Sequence, residues 1–274
     1  MSDRAVLLTW TSRPTRAADS TGVLLIHGGP GLWDYLGPLD ALIDDVAVVH
    51  RYDQRGCGRS SPSEDLSMSR YIADIDELRV HWSYDKLVLI GHSFGATLAL
   101  AYAGTHPDRV ASLAYLSGVG IGDWRTSHRA EISRRRARLG VEERLAELEE
   151  QPRTPAEEIE WRRLVWATDY ADAANGLEAS REMAQTPLDI NYQANRRLMT
   201  FTDADQLHWA SRVACPMFYL HGSADPRPAH HAMALARETT HARERIVEGA
   251  GHLPWTERPD EVRRLLHLVI RAAS

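Results

Sequence analysis

Short apolar runs recur along the chain and alternate with segments of helical periodicity. Seven runs have the length of strands, and they begin at Ala5, Gly22, Val46, Lys86, Val110, Cys215 and Arg243. Most are continuous rather than alternating, which is typical of a parallel sheet covered on both faces. Helical patterns lie between several of them, at 71–82, 94–106, 229–238 and 259–272. The alternation predicts an α/β fold with a mainly parallel sheet.

The alternation is interrupted between about residues 124 and 213, where no strand pattern occurs. This stretch is rich in arginine and glutamate, and turn signals such as Gly140 and the run QPRTP at 151–155 divide it. We interpret it as a helical insertion between two late strands, lying over one end of the sheet. The prediction is a core domain formed by residues 1–123 and 211–274, with a helical cap domain formed by residues 124–210.

Composition and charge exclude several function classes. No apolar stretch reaches 18 residues, which predicts no membrane span, and the start MSDRAVLLTW lacks the features of a signal or transit peptide. The formal charge of −6 comes without a block of like charge suited to nucleic acid. Cys57 and Cys215 lie far apart in the sequence and are expected to be free thiols. We therefore expect a cytoplasmic protein with no nucleic-acid or membrane partner.

One strand-to-helix junction carries a candidate nucleophile. The run KLVLIGHSFG places Ser93 between Gly91 and Gly95, after four apolar residues and before a helical pattern. A G-x-S-x-G turn of this kind exposes the serine Oγ at the head of a helix and has room only for small flanking residues. Ligands of open parallel sheets bind beyond the carboxyl ends of the strands, where this serine lies. We interpret Ser93 as a nucleophile; the alternative is a small residue in a tight turn.

A serine nucleophile needs a base to take its proton and an acid to orient that base. His252 in GAGHLPW follows a strand-like run, and nearby glycines allow its loop to approach Ser93. Asp225 in HGSADPRP follows the preceding strand. The chain order serine, aspartate, histidine belongs to this sheet architecture. The alternative for Asp225 is a helix-capping or turn aspartate.

Two backbone amides are candidates for binding an oxyanion. One belongs to Phe94, which follows the candidate nucleophile, and the other to Gly29 in the early segment LLIHGGPG. His27, His92 and His221 are interpreted as structural hydrogen-bonding residues.

Five segments resemble the α/β-hydrolase superfamily and, within it, the proline iminopeptidases. They are HGGPG at 27–31, YDQRGCGRS at 52–60, GHSFGATLALAYAGTHPDRV at 91–110, HGSAD at 221–225 and GAGH at 249–252. HGGPG together with DQRGCGRS is the more specific part. The resemblance implies an α/β-hydrolase fold and a serine hydrolase that releases N-terminal proline from peptides. It implies the triad and oxyanion hole already named, with Asp53 and Arg55 as loop-organising residues.

The cap is where the resemblance is weaker. Exopeptidases of that family hold the substrate's amino group with cap glutamates, one of them often in a W-x-x-W-E motif, because a buried ammonium needs a carboxylate partner. Here Trp161 and Trp166 are five positions apart, and Ala167 follows the second. Asp169 is a candidate partner for the ammonium. The alternative is an exposed helix aspartate or a salt bridge to Arg162.

Tryptophans expected near the carboxyl edge of the sheet are further candidates for substrate contact. Amphipathic rings there suit an apolar pocket for a prolyl ring or an acyl chain, and packing between cap and core is the alternative. Closeness in sequence to Gly29 and His252 favours two of them, and the cap motif adds two more; the candidates are Trp33, Trp255, Trp161 and Trp166.

No metal or cofactor is expected. The pair His230 and His231 has no partner at ligand spacing, and Pro30 interrupts the glycines of HGGPG so that they do not form a dinucleotide fingerprint. The arginine run SRRRARLG at 133–140 could indicate an anionic partner. We interpret it as a solvated helix face balanced by EERLAELEE.

Three functional hypotheses remain. The first is a serine hydrolase that removes N-terminal proline from a short peptide, and the second is a capped esterase, lactonase or small-amide hydrolase. The third is a weakly catalytic, ligand-binding protein of the same fold, since fold alone does not fix activity. An acidic cap residue over Ser93 would favour the peptidase, and an all-apolar cap floor would favour the esterase.

Overall fold

Seven strands form one sheet in the computed structural model, which describes residues 1–14 and 22–273. The strands are β1 (Thr9–Ser12), β2 (Gly22–Ile26), β3 (Val48–Tyr52), β4 (Leu87–His92), β5 (Val110–Leu116), β6 (Met217–Gly222) and β7 (Ala242–Val247). Their order across the sheet is β1-β3-β2-β4-β5-β6-β7. Only β1 runs antiparallel to its neighbour among these pairs, so the predicted mainly parallel α/β sheet is confirmed.

The first strand begins later than its apolar run. The run starts at Ala5, whereas β1 starts at Thr9. The backbone before it pairs with loop residues instead: the carbonyl of Leu8 accepts from the amide of Asp53, and that of Val6 accepts from Ser61. The first part of the apolar run therefore forms backbone hydrogen bonds with the segment after β3, and only its last residues belong to β1.

Helices cover both faces of the sheet and fill the insertion. They are α1 (Gly37–Asp40), α2 (Met68–His81), α3 (Phe94–Thr105), α4 (Trp124–Leu139), α5 (Glu142–Glu150), α6 (Pro155–Ala167), α7 (Ala173–Ala179), α8 (Arg181–Ala184), α9 (Tyr192–Leu198), α10 (Asp203–Ala210), α11 (Ala229–Arg237), α12 (Pro254–Glu257) and α13 (Pro259–Arg271). The four helical patterns flanking the insertion correspond to α2, α3, α11 and α13. Helix α2 begins before its apolar pattern because the Ser67 side chain caps it by accepting from the amide of Arg70.

The central strands are buried on both faces. Alternate residues of β2 belong to two separate apolar clusters: Leu24 and Ile26 to one, Val23 and Leu25 to the other. The first cluster includes most of α3, and the second includes residues of α13 such as Leu266. Each fully buried aliphatic side chain contributes about 1.5–3 kcal/mol to folding. This double coverage explains why the strands are continuous apolar runs.

The insertion consists of helices and the loops that connect them. Residues 124–210, all of which the structure describes, form α4 to α10 and contain no strand. Helix α10 packs directly on α3 of the core, where Gly104 leaves room for Trp209. Arg135 of α4 donates to the carbonyl of Ala224 in the loop after β6, at 2.6 Å. The insertion is thus joined to the core by both packing and hydrogen bonds, and we keep 124–210 as the proposed cap.

The structure tests the predictions made for the two cysteines and for membrane-spanning segments. Cys57 and Cys215 are free, as predicted, and the structure shows that both are buried. Among the helices that the structure describes, none has the length and apolarity needed to cross a membrane.

Candidate active site

Ser93 lies in a strained turn at the carboxyl end of β4. The strand ends at His92 and α3 begins at Phe94, so that one residue makes the whole connection. Its backbone angles are φ 57° and ψ −121°, which non-glycine residues rarely adopt. The Ser93 amide donates to the carbonyl of Leu116 in β5 at 2.9 Å. The turn holds the serine at the edge of the sheet where ligands of open parallel sheets bind.

The glycines around Ser93 are required by close backbone contacts. A Cβ atom on Gly91 would overlap the carbonyl oxygen of Gly95, and one on Gly95 would overlap that of Ile26. A Cβ on Gly28 would approach the Ser93 Cβ to 2.8 Å. Any side chain at these positions would push the turn away from its neighbouring strand.

His252 and Asp225 meet at the ends of the last two strands. The His252 Nδ1 is 2.7 Å from the Asp225 Oδ2, and both side chains are buried. Asp225 Oδ1 accepts from the Arg227 amide at 2.8 Å. Burial alone would raise the pKa of Asp225, but the neighbouring His252 and His221 outweigh it and hold that pKa below its ordinary value. Asp225 is therefore an ionised acceptor for the imidazole.

Ser93 and His252 line the same open cavity. Within the described chain, no hydrogen bond joins the Ser93 Oγ to the imidazole. Such contacts are often long in unliganded sites and tighten when substrate binds. A second pocket also includes Ser93 and Gly29 in its lining, so the serine is reached from two sides.

The two candidate oxyanion donors also lie at the serine. Gly29 lines both pockets, and Phe94 lines the second. Phe94 is the first residue of α3, so its amide has no partner within the helix. In the part of the chain that the structure describes, neither amide donates a hydrogen bond. Both N–H groups are therefore available to an oxygen placed beside Ser93.

The cap candidates divide into two groups. Trp166 and Asp169 line the cavity with Ser93. Trp33 is buried behind them, with its ring edge-on to Trp166 at 6.1 Å between centroids. The lining of the cavity does not include Trp33, so the structure places it in the packing between core and cap.

Trp161 and Trp255 lie away from the cavity lining. The Trp161 indole donates to Glu149 and packs against the Arg153 guanidinium, at the outer side of the cap. Trp255 is buried against the ring of His92, 4.7 Å away edge-on. The structure brings neither ring to the Ser93 cavity.

Asp169 is already ion-paired in the cavity wall. Its Oδ1 lies 2.7 Å from the Nη1 of Arg227, and its backbone carbonyl accepts from the His252 amide at 2.7 Å. The alternative partner considered from the sequence, Arg162, pairs with Glu158 instead. Arg227 was not anticipated as a site residue, although it follows Asp225 by two positions.

A buried hydrogen-bond chain links the early glycine loop to the histidine loop. The Gly28 amide donates to the Tyr35 hydroxyl at 2.9 Å, which lies 2.7 Å from the His92 Nδ1. The His92 Nε2 is 2.8 Å from the carbonyl oxygen of His252. Burial lowers the pKa of His92 far below its ordinary value, so the ring is neutral and donates from Nε2. No sequence motif indicated Tyr35.

The other histidines near the site make structural contacts. The His27 Nε2 accepts from the amide of Gln54 at 3.1 Å, and its Nδ1 lies 2.8 Å from the Gly28 carbonyl. The His221 Nε2 contacts the carbonyl of Arg227 at 2.7 Å. Asp53, which the family resemblance marks as loop-organising, accepts from the amides of Asp34 and Arg59.

Comparison of the sequence with known proteins gives one matching family and a set of relatives. The family model described as the alpha/beta hydrolase family matches residues 23–265. A proline iminopeptidase from Heyndrickxia coagulans is 28% identical over 261 residues, which are 88% of this chain and 87% of that protein.

Two solved structures share the fold at low identity. A thermophilic esterase from Thermogutta terrifontis superposes with a TM-score of 0.72 and 23% identity, covering 98% of this chain and 94% of the esterase. A proline iminopeptidase from Mycobacterium smegmatis gives a TM-score of 0.68 and 19% identity, covering 98% and 96%. With a family match over most of its length, the resemblance noted from the sequence is confirmed, and the chain belongs to the alpha/beta hydrolase family as a hydrolase.

Proposed function

We propose that this chain is a serine hydrolase that works through an acyl-enzyme, with Ser93 as nucleophile, His252 as general base and Asp225 as the orienting acid. The observation that carries the proposal is the 2.7 Å contact between Asp225 and the Nδ1 of His252, a histidine that lines the same cavity as Ser93. Because Asp225 occupies Nδ1, the Nε2 is the nitrogen left to take the serine proton.

The chemistry follows from this arrangement. The Ser93 Oγ attacks the substrate carbonyl carbon while His252 takes its proton. The negative oxygen of the tetrahedral intermediate accepts hydrogen bonds from the Gly29 and Phe94 amides, and the helix field of α3 favours the same charge. Collapse expels the leaving group, which receives the proton from His252. Water then attacks the acyl-serine by the same steps, releasing the acid and restoring Ser93.

Release of an N-terminal proline from a short peptide is the first substrate proposal. It rests on the relatives, which are proline iminopeptidases, and on their match over most of the chain. Asp169 is the carboxylate in the cavity lining that could receive the substrate ammonium. To do so it would have to share or give up its ion pair with Arg227.

Hydrolysis of an ester, lactone or small amide is the second candidate. The ion pair between Asp169 and Arg227 favours it, because the acidic group needed for an ammonium is neutralised within the cavity wall. Apolar side chains also line the cavity, and they suit an acyl chain; they are Leu32, Ile132, Val165, Met183 and Leu253.

The test compares proline-4-nitroanilide, alanine-4-nitroanilide and 4-nitrophenyl acetate, with Ser93→Ala as the control. Turnover that disappears in the variant supports the serine mechanism, and the preferred substrate separates peptidase from esterase. A fluorophosphonate probe should label wild type and not Ser93→Ala. Failure of both turnover and labelling would contradict the proposal and favour a ligand-binding protein of this fold.

A further inference from the structure

The cavity at Ser93 carries an arginine that has no ionic partner among the residues that the structure describes. Two arginines and one carboxylate line it, namely Arg136, Arg227 and Asp169. Asp169 neutralises Arg227. Arg136 forms no ion pair with any described residue, and its Nε is buried without a hydrogen-bond acceptor there. The lining therefore holds one uncompensated positive charge.

Helix geometry explains why this arginine lines the Ser93 cavity while the adjacent arginines do not. His128, Ile132 and Arg136 are four positions apart on α4, which places them on one face, and all three line the cavity. Arg134 is 66% exposed and pairs with Glu131. The arginine run is therefore not one solvated face, because successive residues turn to different surroundings.

Arg135 has a third environment within the same run. It is only 12% exposed, and it donates to the backbone carbonyls of Thr168 and Tyr170 as well as that of Ala224. Its donors are occupied in holding the cap to the core. Arg136 alone in this run combines a place in the cavity lining with unused donors in the described structure.

A second unpartnered polar atom lies on the same helix face. The His128 Nε2 is buried with no hydrogen-bond partner in the described chain. Burial lowers the pKa of His128 to about 4, and the charge of Arg227 acts in the same direction. His128 is therefore a neutral hydrogen-bonding group at pH 7. Buried polar atoms are nearly always satisfied in native proteins. Two residues that each carry an unsatisfied polar atom among the described residues line the Ser93 cavity, and this polar wall suits a polar ligand.

We propose that Arg136, assisted by His128, binds a carboxylate on the substrate, so that the enzyme prefers esters or amides of acids that carry a second, ionised carboxyl group. A guanidinium forms two parallel hydrogen bonds to a carboxylate, which satisfies the donors that the fold leaves unused. An ammonium in the same place would meet an unbalanced positive charge. The inference rests on the proposed function in taking Ser93 as the nucleophile.

The experiment compares two esters of similar length, mono-4-nitrophenyl glutarate and 4-nitrophenyl valerate. Wild type should have the higher kcat/KM for the glutarate ester. Arg136→Gln should lower the glutarate-to-valerate ratio of kcat/KM by about ten- to a hundred-fold, the range that follows from losing a charge-assisted hydrogen bond. Arg134→Gln, two residues away on the solvent side, is the matched control and should leave the ratio unchanged.

A binding measurement separates failure of this inference from failure of the proposed function. Monomethyl glutarate and methyl valerate are titrated calorimetrically into Ser93→Ala protein, with and without Arg136→Gln. The glutarate should bind more tightly, and the second substitution should weaken it about tenfold or more. Equal affinities, or an unchanged ratio of kcat/KM in Arg136→Gln, would overturn the inference whether or not Ser93 is catalytic. Matching urea midpoints confirm that the variants are folded.

Discussion

The ion pair between Asp169 and Arg227 allows the sharpest test of what the cavity binds. The side chains are 15% and 17% exposed, and 2.7 Å separates the Asp169 Oδ1 from the Arg227 Nη1. Asp169→Asn removes the charge and keeps the shape. Arg227 would then retain Asp225, whose Oδ1 lies 3.7 Å from the same nitrogen. The substitution therefore changes the charge of the cavity without emptying it.

The expected loss of stability follows from the geometry of the pair. Two unit charges about 4 Å apart attract by about 4 kcal/mol at an effective dielectric constant of about 20. The asparagine retains a hydrogen bond worth about 1 kcal/mol, and partial exposure lets water solvate the freed guanidinium. We expect the free energy of unfolding to fall by about 2 kcal/mol, less than the roughly 3–5 kcal/mol for a fully buried pair.

The kinetic expectation is that Asp169→Asn lowers kcat/KM by similar factors for proline-4-nitroanilide and 4-nitrophenyl acetate, because the carboxylate already serves Arg227. Urea unfolding followed by tryptophan fluorescence gives the stability. Asp172→Asn is the matched control: Asp172 is exposed and caps α7, and asparagine caps a helix as well as aspartate. A loss above tenfold on the prolyl substrate alone would refute the reasoning and assign Asp169 to the substrate ammonium.

Three further substitutions test the turn, the buried hydrogen-bond chain and the pH dependence. Gly95→Ala places a Cβ well inside 3.0 Å of the Ile26 carbonyl, so we expect labelling by a fluorophosphonate to be lost and the melting temperature to fall. Tyr35→Phe leaves the Nδ1 of His92 without its partner, and urea titration should show a loss of about 1–3 kcal/mol. Burial lowers the pKa of His50 to about 4 in the folded protein, whereas the histidine of the unfolded chain titrates near pH 6.5. Between these two pH values His50 is protonated in the unfolded chain and neutral in the folded one, which favours unfolding. Stability should therefore fall from pH 6.5 towards pH 4, and in His50→Gln the fall measured by urea midpoints should be shallower.

The catalytic candidates were accessible to sequence reasoning because they depend on local pattern and topology. Ser93 lies where an apolar strand meets a helix. The glycines on either side of it are needed because neighbouring backbone atoms leave no room for a Cβ atom. Asp225 and His252 follow later strands, and parallel strands bring their carboxyl ends to one edge of the sheet. The order of the strands was therefore enough to predict that the side chains of Asp225 and His252 lie close together.

The cap could not be predicted in the same way. Which residues of an insertion face the core depends on how its helices dock, and a rotation of one residue changes the environment completely. Trp161 and Trp166 lie on the same helix, yet only the second lines the cavity. The partner of Asp169 is 58 positions away in the chain, in the loop of Asp225, the proposed triad acid. No local spacing encodes that pairing.

Docking of the cap on the histidine loop has a consequence for specificity. The Asp169 carbonyl accepts from the His252 amide, and a Cβ on Gly251 would overlap that same carbonyl. The amide of Ala171 donates to Glu257, which also accepts from Gly251. Cap segment 169–171 and the loop of the candidate base therefore form one hydrogen-bonded unit, so changes to the backbone of this segment will disturb catalysis as well as binding. The α4 residues that line the cavity make no backbone hydrogen bond to the loop of His252 in the described structure, so substrate preference can vary there while the proposed triad keeps its geometry.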